Sequence, residues 1–232
     1  MSLVTWHDIE CGSYTEDLPL WHELAAEAGG PVLDVGAGTG RVALALARAG
    51  HEVVALDVEP ELLAALRERA GDLPVETVAG DARAFSLGRR FGLVIAPMQT
   101  VQLLGGRHAD FVACAAAHLA PGGLVAAALA NPPAYEGEIK PLPDMREEDG
   151  WLWSSQPVAV RPAPTGMVIL RTREVVSPDG DRTVADDEIL LTRTLPADLE
   201  AAGEACGLRP LPRRAVPETA DYVGSDVVVL RG

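Results

Sequence analysis

Pro31-Val32-Leu33-Asp34-Val35-Gly36-Ala37-Gly38-Thr39-Gly40-Arg41 is the stretch whose reading decides the fold. Val32 to Val35 is a mostly apolar run too short for a helix and suited to a buried strand. Glycines follow at alternate positions, Gly36, Gly38 and Gly40. A helical pattern starts at once, with Val42, Leu44, Leu46 and Ala47, and stops at Gly50. The unit is therefore strand, glycine-rich turn, helix. Glycine admits positive φ and lets a ligand approach the backbone with no Cβ in the way. The opening helix offers unpaired N–H groups to such a ligand. The weaker alternative is a tight strand-to-helix turn that holds nothing.

The same alternation continues outward. Glu52 to Leu56 reads as a second strand ending in Asp57, 17 residues beyond Gly40. An acidic residue about 20 residues past a glycine fingerprint accepts from ribose hydroxyls, and a carboxylate suits a cis-diol. Asp57 could instead merely flank a helix, although Glu59, ahead of Pro60, fits that place too. Pro60 to Ala70 reads as a helix and Val75 to Ala79 as a third strand, ending in Gly80-Asp81-Ala82-Arg83. A Gly-Asp pair there is also a common Asx turn. Phe91 to Ala96 is the fourth strand, followed by the loop Pro97 to Gln102. Arg107 to Leu119 is helical, Pro121-Gly122-Gly123 a turn, and Leu124 to Ala130 the fifth strand. Strands alternating with helices imply a parallel sheet covered on both faces, with ligands beyond the carboxyl ends of the strands. The loops Gly36 to Gly40, Asp57, Asp81 and Pro97 to Thr100 then share one edge.

Glycine spacing separates two families. The dinucleotide fingerprint is G-x-G-x-x-G, whereas here the third glycine comes one residue early, after Val-Leu-Asp. The stretch resembles motif I of the class I S-adenosylmethionine-dependent methyltransferases. Leu119-Ala120-Pro121-Gly122-Gly123 is similar to a Leu-x-Pro-Gly-Gly often seen at that place in the family. The resemblance implies a glycine loop around the methionine part of the cofactor and ribose on Asp57. It puts the adenine amino group on Asp81 with a ring nitrogen at the Ala82 N–H, and the departing methyl group before the loop after the fourth strand. It assigns Asp34, Gly36, Ala37, Gly38, Gly40, Arg41, Asp57, Val58, Gly80, Asp81, Ala82, Pro97, Met98 and Gln99 to the cofactor. Tyr14, Gln99 and His22 are the candidates near the reacting centre. The implied fold is α/β and Rossmann-like, doubly wound around a seven-stranded, mostly parallel sheet. Its last strand, Ser225 to Leu230, is antiparallel, and a small antiparallel β insertion follows strand five.

Outside that core the signals are weaker. Leu18, Leu20, Trp21, Leu24 and Ala25 form a helical stripe ended by Gly29-Gly30. The segment Trp6 to Tyr14 before it either covers the cofactor or anchors the helix. Pro132 to Glu148 reads as a loop; Trp151–Arg161, Met167–Val176 and Ala185–Leu195 read as strands, with a hairpin turn at Ser177 to Gly180. This inserted sheet is expected to roof a substrate pocket, build a dimer contact or simply extend the fold, and Trp151 and Trp153 line a pocket or pack a core. Pro196 to Cys206 is a helix and Leu208 to Leu211 opens a sixth strand. The expected division is a cover over 1–30, a core over 31–131 and 195–232, and an insertion over 132–194.

The chain has 232 residues, is 48% hydrophobic and carries a net charge of −15. That charge argues against nucleic acid and an anionic membrane surface. Cys11, Cys114 and Cys206 are widely spaced and suit a reducing, cytoplasmic setting. No Cys-x-x-Cys or histidine cluster suggests a metal. There is no signal-peptide pattern and no apolar run long enough for a bilayer. His108 and His118 read as exposed or capping residues. Methyltransferases acting on nucleic-acid bases usually carry Asn/Asp-Pro-Pro-Tyr/Phe after strand four. Asn131-Pro132-Pro133-Ala134-Tyr135 lies one strand late with its tyrosine displaced, so it is a decoy. The expected activity is in-line methyl transfer from S-adenosylmethionine to a small-molecule acceptor, in a chain that could form a homodimer. The alternatives are a non-catalytic cofactor-binding relative and an NAD-type oxidoreductase, the latter disfavoured by the glycine shift.

Overall fold

The computed structural model describes residues 3–130, 132–136, 142–219 and 222–232. The chain opens with α1 (Leu3–His7), a π-helical turn (Asp8–Gly12) and α2 (Leu18–Ala28). Then come β1 (Val32–Val35), α3 (Arg41–Arg48), β2 (Val53–Asp57), α4 (Pro60–Ala70), β3 (Val75–Ala79) and β4 (Phe91–Ala96). A 3-10 helix (Thr100–Leu104), α5 (His108–Ala117) and β5 (Leu119–Ala130) complete the alternating part. β6 (Tyr135–Glu136), β7 (Asp144–Glu148), β8 (Trp151–Ala163), β9 (Gly166–Val176) and β10 (Arg182–Thr192) make a separate sheet. The chain ends with α6 (Pro196–Ala205), β11 (Arg209–Pro210), β12 (Arg214–Val216) and β13 (Ser225–Arg231).

The first sheet runs β11-β13-β5-β4-β1-β2-β3, with β12 also paired to β13. β1 to β5 are mutually parallel, and β13 is antiparallel to β5 and β11. The mostly parallel sheet with an antiparallel last strand is thus present. Among the described residues seven strands follow that order, and Arg214–Val216 pairs along the start of β13 in addition. The chain winds outward from β1 through β2 to β3, then returns to β4 on the other side of β1. The crevice between the β1 and β4 loops is therefore the switch point at which such sheets bind ligands.

Alternation along the strands builds two cores. Val32, Val53, Ala55, Leu93 and Ile95 pack with Trp21, Leu46, Leu63 and Leu66 on one face. Leu33, Val35, Val54, Leu56 and Val94 pack with Phe111, Val112 and Leu199 on the other. Burial on both sides explains why these strands read as nearly continuous apolar runs.

Several local expectations change. Helix α5 stops at Ala117 because His118 folds back: Leu87 N–H donates to His118 Nε2 (3.0 Å), leaving Nδ1–H for the Cys114 carbonyl (2.7 Å). His118 is therefore a capping residue, as one of its two expected readings had it, and it is buried. Asp144–Glu148, expected as loop, is strand β7. Asp149 and Gly150 both have positive φ (51° and 78°), the geometry of a tight hairpin turn onto β8. The third inserted strand begins at Arg182, opposite Val176, because the turn at Ser177 to Gly180 sets its register. Asn131 of the decoy lies outside the described residues.

Gly92 N–H donates to the Pro31 carbonyl (3.0 Å), and a Cβ on Gly92 would sit 1.6 Å from the Gly29 carbonyl oxygen. Helix α2 and β4 can meet only if residue 92 has no side chain. Gly92→Ala is expected to cost about 1–3 kcal/mol of stability, measured by urea unfolding; an unchanged midpoint would show that no such close approach exists.

Candidate active site

A cavity of about 450 Å³ opens at the carboxyl ends of β1 to β4. Asp34, Gly36, Ala37 and Arg41 line it from the first strand and its loop, Asp57 and Val58 from the second, Gly80, Asp81 and Ala82 from the third, and Pro97, Met98 and Gln99 from the fourth. Of the residues singled out from the sequence, Gly38, Gly40, Tyr14 and His22 fall outside this lining.

The three glycines do different work. Gly36 (φ 73°) faces Thr100, whose side chain would lie 2.6 Å from an added Cβ, so it lets the β1 and β4 loops close on each other. Gly40 (φ 94°) faces Leu66 at 2.1 Å and lets α3 pack on α4. At Gly38 the N–H donates to Asp57 Oδ2 (2.8 Å). A Cβ there would meet His7 Nε2 at 2.2 Å, so the imidazole covers Gly38. Met98 adopts φ 53° in the fourth loop, a conformation uncommon outside glycine.

Tyr14 is buried under Arg41, whose guanidinium lies 5.0 Å from the ring centre and donates to the Tyr14 carbonyl (2.9 Å). Burial pushes its phenol up to about 12, so it is no base at neutral pH. Arg41 is itself gripped by the buried Asp17 carboxylate (2.5 and 2.8 Å), which also accepts from Trp21 Nε1 (2.8 Å).

The cavity carboxylates differ sharply. Asp57 accepts from the N–H groups of Gly38 (2.8 Å) and Glu59 (2.9 Å). Asp81 accepts from the Arg83 N–H (2.8 Å) and guanidinium, so it forms an Asx turn while lining the cavity. The hydrogen-bonded Arg83 side chain holds its carboxyl down to about 2. Asp34 is 1% exposed and neither of its oxygens has a hydrogen-bond partner. Burial raises its carboxyl to about 7.

The other walls come from residues that sequence motifs did not single out. Trp6, His7, Glu10 and Cys11 of the N-terminal segment line the cavity, as do Leu103, Arg173 and Ile189. Glu10 accepts from Arg173 Nε (2.7 Å) and Nη2 (2.8 Å) and from Ser155 Oγ (2.7 Å). Asp8 accepts from Thr39 Oγ1 (2.8 Å) and, in fork geometry, from Arg69 (2.8 and 2.6 Å). The segment is therefore a strap between core and second sheet. Trp6 packs edge-on against Trp153 (5.4 Å), and Trp151 is 42% exposed, so neither inserted tryptophan lines the cavity. The alternation of buried Trp6 and Ile9 with acidic Asp8 and Glu10 was the available signal. Their arginine partners lie too far along the chain for spacing to reveal.

Residues 32–123 match a family described as a methyltransferase domain. The CcbJ methyltransferase of Streptomyces caelestis superposes with a TM-score of 0.71 at 25% identity, covering 95% of this chain and 91% of that one. Amino pentose methyltransferase CalS10 of Micromonospora echinaspora, solved with bound SAM, gives 0.74 at 23% identity over 99% and 97%. Cypemycin N-terminal methyltransferase of a Streptomyces species is 37% identical over 97 residues, 41% of this chain and 40% of that protein. The chain spans well under half the length of the curated relatives it matches. Fold and sequence point to the same class, a methyltransferase domain on a Rossmann-like sheet. Residues 32–123 thus carry a match to a methyltransferase domain, on a fold that the whole chain shares with solved methyltransferases.

The cavity fits S-adenosylmethionine on its own chemistry. A buried carboxylate without a partner is costly unless a cation or donor meets it, and the methionine end of the cofactor carries an ammonium. In the unliganded protein the raised carboxyl binds its proton more tightly than in the unfolded chain. The stability it contributes is then full below about pH 4 and lost as pH rises through about 7. Asp34→Asn lacks this term, so the variant's melting temperature relative to wild type is expected to rise between pH 5 and pH 8. Thermal melts of the unliganded proteins check this, and a gap independent of pH would refute it.

Proposed function

We propose that this protein transfers the methyl group of S-adenosylmethionine to a small-molecule acceptor. The observation that carries the reading is the convergence of four successive strand ends on one cavity whose buried Asp34 has no partner. When bound, the cofactor supplies a sulfonium-activated methyl group, so alignment does most of the catalytic work. Asp34 and the Gly36–Ala37 backbone would hold the methionine ammonium, and Arg41, preset by Asp17, its carboxylate. Asp57 keeps lone pairs for the ribose beyond those used by Gly38 and Glu59. Asp81 and the Ala82 N–H would read the adenine, while Val58, 64% exposed, offers an apolar edge. Gly80 shapes this turn, and Gly38 and Gly40 support the loop from behind. Pro97, Met98 and Gln99 would face the reacting centre.

The acceptor would lie between these residues and the strap, against Trp6, Leu103 and Ile189. Holding the nucleophile in line is worth several kcal/mol, up to about 7–11. No general base is required if the acceptor arrives unprotonated. Tyr14 and His22 are not assigned a catalytic role, because neither lines the cavity.

The net charge of −15 supports an acceptor other than nucleic acid. No described helix is long and apolar enough to cross a membrane. The free cysteines support a cytoplasmic setting. The open edge of β10 supports a homodimer, which light scattering would remove by returning the mass of one chain.

Calorimetric titration with S-adenosylmethionine, S-adenosylhomocysteine and NAD tests the cofactor reading. The first two are expected to bind, NAD not, and Asp57→Ala to weaken binding about 10- to 100-fold. Methyl transfer to a panel of small amines and hydroxyl compounds then separates an enzyme from a binding protein without turnover.

A further inference from the structure

We propose that His7 is a cofactor-positioning residue, its unprotonated Nε2 accepting a hydrogen bond from a ribose hydroxyl of the nucleoside held beside Asp57. The inference rests on the S-adenosylmethionine reading of the cavity. It starts from a proton count. Thr39 Oγ1 lies 2.8 Å from Asp8 Oδ1 and 3.2 Å from His7 Nδ1. A carboxylate only accepts, so the hydroxyl proton of Thr39 goes to Asp8. Asp8 is a carboxylate at neutral pH, since it is hydrogen-bonded by Arg69 and Thr39 and its carboxyl is held below the ordinary range. Thr39 Oγ1 then has only lone pairs to offer His7, and His7 Nδ1 must carry the proton. The neutral imidazole is left with a bare lone pair on Nε2.

That atom is well placed. His7 lines the cavity where Gly38 does not, and its Nε2 edge lies against the Gly38 backbone. The Gly38 N–H in turn donates to Asp57. His7 and Asp57 therefore flank the same turn of the glycine loop, and a cis-diol has two protons to donate. Asp57 has already given an acceptor site on each oxygen to a backbone N–H, so a second acceptor beside it completes the diol site.

The charged groups facing His7 are Asp57 from the end of β2, Asp8 and Glu10 from the strap, and Arg69 from α4. Burial outweighs the carboxylates and keeps the imidazole below its ordinary range, hence neutral at pH 7. Protonation would remove the acceptor, so affinity is full above that pKa and falls below it.

Titration of S-adenosylhomocysteine into wild type, His7→Phe and His7→Gln tests the proposal, with melting temperatures as a check of folding. His7→Phe is expected to bind about 5- to 10-fold more weakly. His7→Gln, whose amide oxygen can take the place of Nε2, stays within about 2-fold. With 5′-methylthioadenosine and its 2′-deoxy and 3′-deoxy analogues, the His7→Phe loss should vanish for one deoxy analogue. With methylthioadenosine, which has no ammonium for Asp34 to hold, wild-type affinity should fall from pH 7 to pH 5, and His7→Gln should lack that step. Wild-type affinity in His7→Phe, an equal loss for all three nucleosides, or a pH step surviving in His7→Gln would each overturn the role. If wild type binds neither S-adenosylhomocysteine nor methylthioadenosine, the cofactor reading itself has failed, a result distinct from all of these.

Discussion

The missing side chain at Gly38 is the constraint on which this arrangement rests. The residue sits at φ 55°, with its N–H on the Asp57 carboxylate and the His7 imidazole against its α-carbon. Any Cβ would have to share space with that ring. The end of β2, the start of α3 and the N-terminal strap meet at this point, and none could hold its place if the loop were bulkier. Thr39, the next residue, fastens the same strap through Asp8. One dipeptide thus fixes both the shape of the glycine loop and the position of its cover.

Charge around the loop is arranged by contrast. Asp17 and Arg41 are both buried, and their paired hydrogen bonds offset much of the cost of taking them out of water. Trp21 uses a remaining lone pair of Asp17, so removal of either ion would strand the other in an apolar surrounding. Asp34, close by, has no such fork: neither oxygen makes a hydrogen bond of ordinary geometry, and burial outweighs the Arg41 charge and the Ala43 N–H near it. A fold that satisfies Asp17 so fully and leaves Asp34 bare has concentrated its unmet polarity on one side of one cavity. Perturbed carboxyls cluster at functional sites for this reason.

The sequence made the central sheet legible because its signals are local. Val32–Val35, Val53–Leu56 and Phe91–Ala96 are short apolar runs bounded by turns, and each is a strand buried on both faces. The loops after them could be placed on one edge from topology alone. The glycines were harder. Their spacing marks a loop but not what each residue faces, and two of them turn out to accommodate Leu66 behind the cavity and His7 on its wall. β7 was hidden by its composition, Asp-Met-Arg-Glu-Glu, although Asp149-Gly150 is a strong hairpin signal. The strap was legible only as an ambiguity. Its role is written in ion pairs to Arg69, Arg146 and Arg173, which no periodicity reports.

Those ion pairs also divide the strap into two halves with different attachments. Asp8 is tied chiefly to α4 and the glycine loop, while Glu10 is tied wholly to the second sheet through Ser155 and Arg173. Trp6 and Ile9 pack with Trp153 and Val175 between these anchors. The Glu10 contacts are well shielded, so they are stronger than surface pairs and resist screening by salt. A movement of the second sheet would therefore pull on Glu10 while Asp8 stays fixed to the core. The bend between them falls within the π-helical turn Asp8–Gly12, where the helical hydrogen-bond ladder is already irregular. On the proposed reading, acceptor contacts with Ile189 or Arg173 would reach the cofactor side through this short segment. Acceptor and cofactor binding would then be mechanically joined even though they use different walls of the cavity.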